Sequence, residues 1–182
     1  MEQGTELVCH PATHCDAVRR IVASIAREAA GAVRLGFHIE GDIAKLRLPE
    51  ASDALRSDGL WQHCCFEAFL KADGDAGYHE FNFAPSGSWA AYRFDAPREG
   101  RESPDLAAPR IAFRRRAGAC DMTVDLALAA LPELARAQVI HAGLSAVIED
   151  SRGMLSYWAL AHGAAQPDFH DPATFVMRMG AR

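Results

Sequence analysis

Glu67, Glu80 and Asn82 stand at alternating positions of two short apolar stretches, 64–70 and Tyr78–Phe83, and Trp89 and Arg93 follow in a third, Trp89–Phe94. If the three stretches are neighbouring strands, these five side chains share one surface. Carboxylate and amide oxygens accept hydrogen bonds from hydroxyl groups, and an indole offers a flat apolar platform to the C–H face of a sugar ring. Trp158, near the other end of the chain, is a second candidate platform. Glu67, Glu80, Asn82, Trp89, Arg93 and Trp158 therefore form the candidate binding set, suited to a small polyhydroxylated ligand. Two glutamates side by side repel each other unless a cation, Arg93 or a ligand hydroxyl lies between them. The competing explanation is that outward strand residues are polar because they face water.

Three other chemistries draw on the same inventory. Paired glutamates can hydrolyse a glycosidic bond, one as acid and one as nucleophile or base, given the right separation. Haem iron takes Met and His axial ligands. Met122, Met154, Met177 and Met179 with His38, His79, His141 or His162 are the candidates, and no spacing singles out a pair. His162, Asp168 and His170 could surround a metal, but the spacing matches no recognised ligand pattern. A structural role fits them better: Asp168 as an acceptor for backbone N–H groups, and His170 as an anchor for the last loop. Cys64 and Cys65 are adjacent and point to opposite faces of a strand. One buried thiol and one small surface residue is the simplest assignment.

Composition narrows the partners. The 182 residues are 49% apolar and 24% charged, enough for one soluble domain with a real core, spanning 1–182. Net charge is −5, with 17 Arg and 2 Lys against 24 acids. That balance argues against nucleic acid and against an anionic membrane surface. The first residues lack the basic and apolar segments of a secretory signal, and no window approaches a membrane span. With an odd cysteine count, five, the expected compartment is the cytoplasm and the thiols are expected free. No resident cofactor is expected, and oligomeric state is left open.

The elements that would position these residues are mostly strands. The stretch 33–40 alternates, with Val33, Leu35, Phe37 and Ile39 on one side. Tyr78–Phe83 and Trp89–Phe94 flank Pro85-Ser86-Gly87-Ser88 and read as a hairpin. Phe66, Phe81, Phe83 and Phe94 are taken as its core side, with Trp89 and Arg93 opposite Tyr92 and Phe94. Short runs at 111–116, 122–128, Val139–Glu149 and 155–160 add further strands. Arg114, Arg115 and Arg116 suit an edge strand, where charge blocks unwanted pairing. Residues 95–109 read as a long surface loop, and Trp61 as a cover for one end of the core. Two segments look helical. Pro132 opens a turn, and residues 16–31 carry Val18, Ile21, Val22, Ile25 and Ala29 at helical spacing between an Asp16 cap and Gly31.

The block Leu60-Trp61-Gln62-His63-Cys64-Cys65-Phe66-Glu67-Ala68-Phe69, the run from Tyr78 to Trp89, Ser156-Tyr157-Trp158-Ala159-Leu160 and Pro167-Asp168-Phe169-His170 together resemble the bacterial DOMON-like proteins, relatives of the family 9 carbohydrate-binding modules. The resemblance covers roughly residues 33–178. It implies an all-β, immunoglobulin-like antiparallel β-sandwich of about ten strands with at most one or two short helical turns. It also implies that residues 21–28 form a strand, against the helical spacing. The activity implied is non-catalytic ligand binding, to a sugar or, in the haem branch, to haem.

Overall fold

The computed structural model describes residues 4–28, 31–53 and 55–180. Among the described residues, twelve strands form two antiparallel sheets packed face to face. The first sheet holds β1 (Thr5–Glu6), β3 (Val18–Glu28), β4 (Ala32–Gly41), β8 (Arg110–Arg116) and β9 (Ala119–Ala127), in the order β1-β3-β4-β9-β8. The second holds β2 (Val8–Cys9), β5 (Cys65–Ala72), β6 (Tyr78–Phe83), β7 (Trp89–Phe94), β10 (Val139–Glu149), β11 (Leu155–Ala159) and β12 (Met177–Gly180). Its path is β2-β11-β10-β5-β6-β7, and β11 and β12 pair in tandem with successive parts of β10. The β-sandwich is the expected fold. The helical turn at Pro132 is present as α1 (Pro132–Ala135), and β8 is an edge strand.

Between the sheets lies the core. Val33, Leu35, Phe37 and Ile39 of β4 all point into it, as their alternation requires, and Phe37 meets Phe66 of the opposite sheet at 5.1 Å. Each such buried side chain contributes roughly 1.5–3 kcal/mol of hydrophobic stabilisation.

The described residues of 16–31 form no α-helix, and 21–28 are strand, as the resemblance implies. Residues 18–28 are strand β3, paired along its length with β4; Ala29 of the helical pattern lies outside the described residues. The helical spacing has a local cause. Val18 pairs with Gly41 and Arg20 with Glu40, so Arg19 bulges out of the ladder. The extra residue puts Val18 and Ile21 on one face although they are three apart. Beyond the bulge the period returns to two, with Ile21, Ala23 and Ile25 inward. Gly41 permits this junction, because a Cβ there would meet the Ala17 carbonyl oxygen at 2.0 Å.

The second sheet departs from a simple half-buried pattern. All six residues of β6, and all but one of β5, are buried. Three segments cover the outer face: a 3-10 turn at Leu60–Gln62, the loop 95–109, and the loop 160–176. Cys64 and Cys65 do face opposite sides, but both are buried, since Cys65 lies under these segments. All five cysteines are free. Among the described residues no helix is long and apolar enough to cross a membrane.

Candidate functional site

The covered outer face of the second sheet carries the polar cluster. Glu67 of β5 lies directly across from Asn82 of β6, and Glu80 sits one step diagonally along the same face. Their exposures are 3% for Glu67, 5% for Glu80 and 0% for Asn82, so these residues are not polar because they face water. Burial of carboxyl groups is costly unless something offsets it. Here it occurs beneath a cavity of about 430 Å³, within the roughly 300–1,000 Å³ range of small-molecule sites.

Strands β5, β6, β7, β10 and β11 contribute by alternation. Tyr92 and Phe94 of β7, Val147 of β10 and Tyr157 of β11 join Glu67 and Glu80 in the cavity wall. Trp61 comes from the 3-10 turn, Arg98 and Arg101 from the loop 95–109, and Pro167, Phe169 and His170 from the last loop. Trp61 is 37% exposed and meets the Tyr92 ring edge-on at 6.2 Å, so an indole stands free at the mouth. Arg101 lies over the other aromatic wall, 5.2 Å from the centre of the Tyr92 ring.

A hydrogen-bonded chain ties the two covering loops to the floor. Asp168 accepts from Arg98 NH2 at 2.8 Å and from the His170 backbone N–H at 3.0 Å. The Tyr78 hydroxyl accepts from the Arg98 backbone N–H at 3.2 Å and lies 2.7 Å from His170 Nδ1. With the Arg98 hydrogen bond accepted, the hydroxyl's own hydrogen is free for Nδ1 of the neutral imidazole, and in that tautomer the ring hydrogen is on Nε2, 3.6 Å from Glu80 Oε2. Arg98 is held at φ +61, a left-handed conformation that an arginine adopts only when its surroundings impose it. Asp168 and His170 thus have the anchoring roles their sequence suggested, and the expected surface loop 95–109 is a wall of the site.

Gly143 on β10 shapes the adjoining wall. A Cβ there would meet the Phe175 ring at 2.7 Å. Its absence lets Phe175 lie on the sheet and stack on Phe69 at 5.7 Å.

The electrostatics follow from burial. Burial, then the neighbouring Glu80 charge, pushes the Glu67 carboxyl well above the ordinary carboxylate range. Glu80 is raised by burial too, against the Asn82 hydrogen bond and the nearby Arg98 and Arg101 charges. His170 is pushed down to about 4 by burial and by Arg98, so it is neutral at neutral pH. The Tyr92 phenol is raised by burial and by its 2.6 Å hydrogen bond to Asp58.

Of the six residues singled out by pattern, the structure brings Glu67, Glu80 and Asn82 together. Trp89, Arg93 and Trp158 lie elsewhere. Trp89 pairs with Phe83 across β6–β7, so it points into the core, 4% exposed, with Arg56 stacked on it at 5.1 Å. Phe94, taken for the core, is on the cavity side. The hairpin register therefore reverses the expected assignment of faces on β7. Arg93 pairs with Asp95 at 2.5 Å beside His79, at the end of the sandwich near α1. Trp158 faces inward and donates to Ser156 Oγ at 3.0 Å, while its neighbour Tyr157 turns to the cavity. Trp61 does not cover the core; it is the free indole that Trp89 was expected to be.

The haem candidates are dispersed. Met122 is in the sandwich core, Met154 is exposed on the β10–β11 turn, and Met177 and Met179 are on β12. His38 pairs with Asp121 at 2.6 Å and His141 with Asp73 at 2.7 Å. His79 pairs with Glu133 at 3.0 Å, and His162 meets the Val8 carbonyl at 2.8 Å. The described cavity lining contains His170 and no methionine. Among the described residues no group of three or more His, Cys, Asp or Glu side chains is placed to hold a metal.

No family model matches the sequence. No curated protein matches it. Solved structures do. A Bacteroides uniformis protein described as carbohydrate-binding superposes with a TM-score of 0.69 at 15% identity, over 98% of this chain and 84% of that one. A family 9 carbohydrate-binding module from Caldicellulosiruptor kristjanssonii, in complex with glucose, gives 0.60 at 7% identity, over 97% and 83%. A family 9 module from the same organism, in complex with cellotriose, gives 0.57 at 8% identity, over 94% and 83%. At such identities the likeness is one of architecture: this chain shares the β-sandwich of carbohydrate-binding modules.

Proposed function

We propose that the protein is a non-catalytic carbohydrate-binding module whose ligand enters the cavity between Trp61 and the Glu67–Glu80 floor. One observation carries the reading: two buried carboxyl groups underlie a cavity beside a free indole. Sugar hydroxyls are the donors that buried carboxyl oxygens need, and the apolar ring face suits Trp61 and Tyr92. His170 Nε2–H, Arg98 and Arg101 supply donors for ring and hydroxyl oxygens. The solved modules of the same architecture that hold glucose and cellotriose support a sugar as the ligand class. Kinship with DOMON-like proteins is proposed from the sequence blocks alone, and a cytoplasmic home from five free thiols.

Calorimetric titration with glucose, cellotriose and a panel of other neutral sugars tests the reading. Saturable binding that is lost in Trp61→Ala, with the sugar recovered chemically unchanged, is the expected result. Absence of binding across the panel, or equal binding by Trp61→Ala, overturns it. Release of hydrolysed product would replace the binding module with a glycosidase.

A further inference from the structure

Asn82 is the most completely buried polar residue of the site, and its two polar atoms are unequally served. Nδ2 donates to Glu80 Oε1 at 2.8 Å. Oδ1 is buried and receives no hydrogen bond from any described residue. A buried acceptor left so is costly. The ladder sets Glu67 directly across the strand from Asn82, on the same face, where side chains of a cross-strand pair meet. Glu67 is itself weakly served, by Ser145 Oγ at 3.5 Å from Oε2 and by the Cys65 thiol, a weak donor. The two unmet needs are complementary if one carboxyl oxygen carries a hydrogen.

We propose that Asn82 bridges the two glutamates through a single proton: Glu67 is the neutral acid and donates to Asn82 Oδ1, while Asn82 Nδ2 donates to the Glu80 carboxylate. The floor then carries one negative charge and presents two kinds of acceptor to a ligand, the free oxygen of a neutral acid and a carboxylate. Asn82 is a positioning residue, since it acts through the two glutamates. The other titratable or charged groups facing the pair are Cys65 on β5, Tyr78 on β6, Tyr92 on β7, Tyr157 on β11, Arg98 and Arg101 on the loop 95–109, and Asp168 and His170 on the last loop. Arg98 favours charge on both glutamates and Arg101 on Glu80, while burial weighs against charge most at Glu67, so the balance agrees with this direction of the bridge. With its one O–H engaged by Asn82, Glu67 offers a ligand only an oxygen that accepts, so the floor suits an uncharged ligand with two hydroxyl donors, one to Glu67 and one to the Glu80 carboxylate. This ligand class rests on the carbohydrate reading; the placement of the proton does not.

Carboxyl-carbon NMR titration of the unliganded protein with labelled glutamate decides the proton directly. Glu67 is expected protonated and Glu80 ionised at pH 7. In Asn82→Leu, which can neither accept nor donate, the two titration midpoints should move toward each other; Asn82→Ala is the smaller variant for the same readout. Glucose serves as the binding probe: Glu80→Gln, which removes the charge of the floor, should lose more than tenfold in affinity, and should lose more than Glu67→Gln, which mimics the neutral acid. Two ionised carboxyls at pH 7, midpoints unmoved by either Asn82 variant, or a reversed Gln pattern overturns the bridge. If glucose and the other sugars fail to bind the natural protein, the carbohydrate reading falls, while the NMR titration still decides the bridge.

Discussion

His63 Nδ1 donates to Glu149 Oε2 at 2.7 Å, and this contact pins the segment that carries Trp61. Glu149 ends β10 on the cavity side of the sheet, and Arg47 holds its other oxygen at 2.8 Å. Burial opposes the charge on Glu149, but the bonds from Arg47 and His63 win and keep its carboxyl below the ordinary range. On the other side of the turn, Asp58 accepts from the Tyr92 hydroxyl at 2.6 Å. The Leu60–Gln62 turn is thus clamped at both ends, with Gly59 at φ +77 supplying the left-handed entry.

His63→Ala should free one end of that turn. His63 is largely exposed, so the stability cost is expected below about 1 kcal/mol. Sugar affinity should fall by a few-fold and Trp61 fluorescence should become more accessible to iodide. An unchanged quenching constant would show that the clamp does not position the indole.

Trp61→Ala and Trp89→Ala should separate binding from folding. Trp61 is partly exposed and its loss should weaken sugar binding more than tenfold with little change in Tm. Trp89 is buried in the core, and its loss should cost about 3–5 kcal/mol of stability by chemical denaturation.

Stability should fall on acidification because of His170. Its folded pKa is depressed to about 4 from an ordinary value near 6.5. The stability this group contributes is therefore full above about pH 6.5 and is lost as pH falls toward 4, by an amount on the order of 3 kcal/mol. Glu67 acts in the opposite sense: its carboxyl is raised, so its contribution is full below about 4.5 and is lost as pH rises through the elevated value. His170→Gln should flatten the 6.5-to-4 limb of the stability profile and leave the other limb in place. Denaturant melts at half-unit pH steps read both.

Gly143→Ala should disturb the wall built on β10. The added methyl meets the Phe175 ring, so Phe175 must move off the sheet, at about 1–3 kcal/mol. Loss of the Phe69–Phe175 ring contact in aromatic NMR spectra would mark the displacement, and an unaltered contact and Tm would refute it.

Period-two alternation is a local property, and most of the sandwich was legible from it. The inward set on β4, the β6–β7 hairpin with its Gly87 turn and the arginine-rich edge strand β8 all follow from neighbours in the chain. So does the shared face of Glu80 and Asn82, since strand residues two apart must point the same way, while Glu67 joins them through the β5–β6 pairing. Which face of a hairpin turns inward is a non-local matter. Trp89 and Tyr92 exchange roles through the β6–β7 register alone, and the bulge at Arg19 imitated a helix because only the pairing with β4 reveals it. Trp61, Arg98, Arg101 and His170 are separated from the glutamates by irregular segments, where no periodicity carries information about position. The tertiary structure folded those segments over the outer face, and in doing so turned two ordinary strand carboxylates into the buried floor of a cavity.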